Sequence, residues 1–94
     1  EVYKTEIIFH IQKNWSFSEQ LAGVETNLVA LLGIKIMPNG EIRDIWFDRR
    51  SGNSYLDESA RKALLKSNPL PPLPKSFTAP FLEQGLRFTP SGVQ

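Results

Sequence analysis

The sequence predicts an α+β domain in the order α-β-β-α-β, with a three-stranded antiparallel sheet of strand order 2-1-3 and two helices packed on one face. Three features point there. Large apolar residues recur every fourth position near the start; Pro38-Asn39-Gly40 divides two runs rich in strand formers; and a second helical pattern is stopped by Asn68-Pro69 ahead of a third alternating run. At 94 residues the chain has the size of one domain, residues 1–94. Its 40% hydrophobic and 22% charged residues supply enough apolar material to fold.

Tyr3, Ile7, Ile11 and Trp15, with Ile8 beside them, line one stripe of a first helix over residues 2–14. Residues 16–25 are polar and small, which reads as a loop. Residues 26–37 form a first strand with Ala30, Leu32, Ile34 and Ile36 on the core face. The turn at Pro38-Asn39-Gly40 leads into a second strand, residues 41–49, with Ile45 and Phe47 inward and Asp44, Trp46 and Asp48 outward. Ile42 breaks that alternation and predicts a bulge near Arg43. Ser54, followed three residues later by Asp57, reads as a capping-box start for a second helix. Leu56, Ala60, Ala63, Leu64 and Ser67 form its buried stripe. Residues 69–74, Pro-Leu-Pro-Pro-Leu-Pro, must run extended and read as a rigid spacer. The third strand, residues 81–89, places Leu82, Leu86 and Phe88 inward and Glu83, Gly85 and Arg87 outward, before Pro90 closes it. In the order 2-1-3 this strand is an edge, with one row of backbone N–H and C=O groups left unpaired or else covered by the tail, residues 91–94, or by a second copy.

Several functions are disfavoured by composition. Lys and Arg number 11 against 10 Asp and Glu, far from the basic excess that a phosphate backbone demands, so nucleic acid is not an expected partner. No cysteine is present, which removes disulfides, thiolate metal sites and Cys nucleophiles together. His10, the single histidine, has Glu6 and Asn14 one turn away, too few ligands for a metal site. Asp57 and Glu58 sit where helix capping accounts for them. With no phosphate loop, serine elbow or His-containing triad, neither catalysis nor a cofactor is expected. Trp46, Val29 and Leu31 would be apolar on the face without helices; a partner or a second copy covers them, or the two faces are assigned the wrong way round.

Taken in order, these segments resemble a known family. They are Tyr3, Ile7, Ile11 and Asn14-Trp15; Ile34-Lys35-Ile36-Met37-Pro38-Asn39-Gly40-Glu41-Ile42; Ser51-Gly52-Asn53; Leu56-Asp57 with Ala60; Pro69-Leu70-Pro71-Pro72-Leu73-Pro74; and Leu86-Arg87-Phe88-Thr89-Pro90. Together they are similar to the C-terminal domain of TonB/TolA-type proteins over nearly the whole chain. The helical entry and the closing Arg87-Phe88-Thr89-Pro90 look more like the TolA-type branch, and the Tyr-Pro entry of shorter TonB proteins is absent. The resemblance implies a periplasmic domain of a longer protein anchored in the inner membrane, which carries force from an ion-driven motor complex to outer-membrane or periplasmic partners. It also implies that a partner peptide adds as a strand to the sheet edge. The residues expected to meet it are Phe81, Glu83, Gln84, Gly85, Arg87 and Phe88. The alternative is a self-associating envelope domain, a homodimer through the same edge or the Trp46 face.

Overall fold

A computed structural model describes residues 2–15 and 27–94. The loop expected at residues 16–25 lies outside the described residues. The elements are α1 (Val2–Asn14), β1 (Ala30–Ile36), β2 (Ile42–Arg49), α2 (Ser54–Ser67), β3 (Leu82–Thr89) and β4 (Gly92–Val93). The predicted order α-β-β-α-β is present, and the two-residue β4 extends it. All strand pairs are antiparallel and the sheet runs β2-β1-β3-β4.

The fourfold spacing of α1 drives Ile7 and Ile11 to zero exposure, while Tyr3, Ile8 and Trp15 pack at the rim of the same core. From β1, Ala30, Leu32, Ile34 and Ile36 meet them, all fully buried, joined by Leu86 and Phe88 of β3. Ala60, Ala63 and Leu64 bring α2 onto the same face. Each fully buried isoleucine or leucine contributes about 1.5–3 kcal/mol, so this one layer is what holds the fold. Trp15 also meets the Phe88 ring edge to face, with centroids 5.2 Å apart.

The hairpin turns as expected, with Gly40 at φ +93° and its N–H donating to the Met37 carbonyl at 2.8 Å. The register steps from Lys35↔Asp44 to Ile36↔Ile42, which leaves Arg43 as the extra residue of the expected bulge. A second register step lies between Leu31 and Leu32, where Asp48 is the extra residue, so both ends of β2 are irregular.

Two local expectations are corrected. The N-cap of α2 is Asn53, not Ser54: Asn53 Oδ1 accepts the Leu56 N–H at 3.0 Å, and Asp57 Oδ1 accepts the Ser51 N–H at 3.0 Å. Asn caps as well as Ser, and the Ser51-Gly52-Asn53 turn places it one residue earlier. Asn53→Ala is expected to lower stability by about 1 kcal/mol and Tm by about 4–8 °C, as read by thermal melts. The proline segment, in turn, is more than a spacer. Leu70 and Leu73 are buried, and their N–H groups donate to the Gly40 and Pro38 carbonyls at 2.9 and 3.0 Å. The prolines leave these two leucines as donors between them, which latch the segment onto the β1–β2 turn.

Candidate functional site

The sheet has two edges. Along β2 the outer edge is blunted: bulges distort both ends, and four of its eight residues, Arg43, Asp44, Asp48 and Arg49, are exposed charges. Its first peptide is occupied by the Asn68 side chain, whose Oδ1 accepts the Ile42 N–H at 2.9 Å while its Nδ2 reaches the Ile42 carbonyl at 3.4 Å. By contrast β3 pairs with β1 over seven consecutive residues without a register step, from Ala30↔Phe88 to Ile36↔Leu82.

Of the arrangements open to the β3 edge, the structure has it partly covered by the tail. Arg87 exchanges two backbone hydrogen bonds with Gln94, each 2.8 Å, and Phe88↔Val93 and Thr89↔Gly92 complete the contact. The tail is fixed from below, because the Val93 N–H donates to Gln12 Oε1 of α1 at 3.0 Å and Val93 is buried. These bonds also fix the direction of every peptide in β3. Since Arg87 turns its N–H and C=O away from β1, the alternation of an antiparallel ladder turns those of Glu83 and Gly85 the same way, and those of Gln84 and Leu86 towards β1.

The six residues singled out from the sequence therefore separate. Glu83 and Gly85 present outward backbone groups on the open part of the edge, and both are exposed. Gln84 faces β1 with its backbone, while its side-chain Nε2 donates to the Gly85 carbonyl at 3.0 Å. Arg87 is taken up by Gln94, through the backbone and through Nη1 to Gln94 Oε1 at 3.3 Å. Phe88 lies in the core at zero exposure, so its ring is not offered to a partner. Phe81 precedes the strand, and its ring lies under Lys35 Nζ, 4.3 Å from the centroid.

A groove follows the open edge on the helix side, lined by Tyr3, Lys4, Pro74, Phe77, Leu82 and Gln84. Tyr3 is held there by its hydroxyl donating to the Pro71 carbonyl at 2.8 Å. Burial first, and the Glu6 carboxylate second, raise the Tyr3 hydroxyl above its ordinary range, so it stays a donor. On the helix-free face Trp46 lies across Gly33, with Nε1 donating to Asp48 Oδ1 at 3.0 Å. Trp46 lies on the helix-free face as expected, but it is partly covered by its own sheet rather than exposed. His10 is partly packed, its Nε2 3.1 Å from the Ser67 carbonyl. Among the described residues no group of three or more His, Asp or Glu side chains gathers, and no helix is long and apolar enough to cross a membrane.

A family model described as TonB C terminal matches residues 1–88. The chain belongs to the TonB C-terminal family. Domains of the TonB C-terminal family are envelope interaction domains that work in the periplasm and meet outer-membrane proteins, and they are not enzymes. Comparisons with curated proteins and with solved structures gave no significant match. The matched stretch ends at Phe88, within β3, so β4 lies outside it. No sequence signal marked the roles of Gln12, Asn68 and Gln94. Gln12 and Asn68 each act through one side-chain amide whose partner is distant in the chain, and Gln94 acts mainly through its backbone on Arg87.

Proposed function

We propose that this chain is a non-catalytic periplasmic interaction module of a TonB/TolA-like energy transducer. It takes an extended segment of an outer-membrane or periplasmic partner as an added strand on β3. It passes to that segment the force of an inner-membrane ion-driven motor, to which it is joined upstream. The observation that carries this proposal is the regular, outward-facing stretch at Glu83 and Gly85 in a sheet whose other edge is blunted. Main-chain bonds along such an edge give affinity with little sequence demand, and the alternate side chains set preference.

The test separates two neighbouring amides. Gly85→Pro removes an outward donor and is expected to weaken partner binding by about 2- to 10-fold, the worth of one neutral backbone hydrogen bond, while the thermal midpoint moves little. Gln84→Pro removes a ladder donor to β1 and is expected to destabilise the domain by about 1–3 kcal/mol, the cost of leaving its β1 acceptor unpaired. Backbone amide shifts are followed while adding peptides from outer-membrane receptor N-termini and periplasmic partner segments. Changes centred on residues 82–86 that weaken in Gly85→Pro support strand addition. Equal titration of Gly85→Pro and the parent chain overturns it, as does a flat titration with a dimer-sized tumbling time, which assigns the edge to self-association.

A further inference from the structure

We propose that the strand accepted by β3 carries an aromatic side chain opposite Gly85 and a cationic one opposite Glu83, with the aromatic ring lying over Gly85 against the Trp46 indole. This rests on strand addition at β3 and names the chemistry of the partner.

The register places Trp46, Gly33 and Gly85 in one row across three strands, through Gly33↔Trp46 and Gly33↔Gly85. Trp46 fills the space over Gly33 so closely that a Cβ there would enter its ring, and the Asp48 carboxylate holds the indole in place. Over Gly85 the opposite holds: a Cβ would meet nothing within 4 Å. A depression at this point of the edge is lined by Leu31, Asp48, Gly85 and Arg87 of the helix-free face together with Lys4, Leu32 and Leu86 from the helix side, and the Trp46 indole lies beside it, held by Asp48. Strands are spaced about 4.8 Å apart, so an aromatic ring leaning one strand inward covers Gly85 and meets the indole leaning one strand outward over Gly33. Aromatic side chains cover strand glycines across a pair in this way. In a strand pair, residues directly opposite project onto the same face, so the side chain paired with Gly85 enters this depression.

Charge defines the second position. Glu83 projects from the same face two residues away, and Lys35, its neighbour across the ladder, is turned onto the Phe81 ring at 4.3 Å. An exposed carboxylate at an edge position favours a cation directly opposite and disfavours an anion.

The end of β4 supplies the register for a test. Gln94 pairs with Arg87, so of residues fused directly after Gln94 the second falls opposite Gly85 and the fourth opposite Glu83. The chain is prepared with the tail Thr-Tyr-Thr-Lys-Thr, with Ala in place of the Tyr, and with Glu in place of the Lys. Hydrogen exchange at the Glu83 and Gly85 amides and the Trp46 indole N–H resonance are read. The Tyr tail is expected to slow exchange about 3- to 10-fold more than the Ala tail, the range of one aromatic pair, and to shift the indole resonance. The Lys tail is expected to protect about 2- to 3-fold more than the Glu tail, as an exposed cross-strand ion pair does. In Gly85→Val, which keeps the amide and fills the depression, the Tyr tail should no longer shift the Trp46 indole resonance. Equal protection by the Tyr and Ala tails overturns the aromatic position, and equal protection by the Lys and Glu tails overturns the cationic one. No protection by any tail overturns strand addition itself.

Discussion

Phe88→Ala is expected to destabilise the domain by about 3–5 kcal/mol, which approaches the whole stability of a domain of this size. The ring is fully buried between the sheet and α1, and Trp15 meets it edge to face, so truncation leaves a cavity that neither β3 nor the helix can close without moving the other. A urea titration followed by near-ultraviolet circular dichroism reads the loss. Partner binding should fall with the fold in Phe88→Ala, whereas Phe88→Leu should cost about 1.5 kcal/mol and bind normally. If the leucine variant kept its stability but lost binding, the ring would be a partner contact and its assignment to the core would be wrong.

Gly40→Ala is expected to cost about 2–4 kcal/mol, from a left-handed backbone worth about 1–2 kcal/mol and a collision beyond it. The glycine sits at φ +93°, buried, with the Leu70 carbonyl where a Cβ would stand. Either the turn or the proline segment must shift, and the latch of Leu70 and Leu73 loosens first. Hydrogen exchange at those two amides should accelerate more than at β1 amides. Gly40→Asn tolerates the dihedral better but keeps the collision, so an asparagine variant as stable as the parent would show that the close approach of Leu70 is unimportant.

Most of the fold was legible because it is written in periods. The fourfold row of α1 and the alternation of Ala30, Leu32, Ile34 and Ile36 assign faces without knowledge of distant contacts. The Arg43 bulge was legible for the same reason, as a break in that alternation. What escaped is non-periodic. Gly92 and Val93 make a strand of two residues, too short to show any pattern, and they pair only because β3 and Gln12 are waiting for them. Residues 70 and 73 announce an extended chain but not the turn on which it lies. Of the candidate site, the edge and the outward-facing positions 83 and 85 were visible. The distinction between the Gly85 and Gln84 amides was not, since it depends on which way Arg87 turns. The inward side chain of Phe88 was legible from the alternation, whereas the turn of its backbone towards β1, which withholds it from a partner strand, was not.

The blunted β2 edge, capped at Ile42 by a side-chain amide, bears on stoichiometry. A sheet with two receptive edges behaves like a bifunctional monomer, able to join copies end to end without limit. With one edge refused, the domain would act as a chain terminator under the proposed strand addition: a copy that takes a strand on β3 has no second edge on which another can grow, so the expected product is a closed one-to-one unit rather than a fibre.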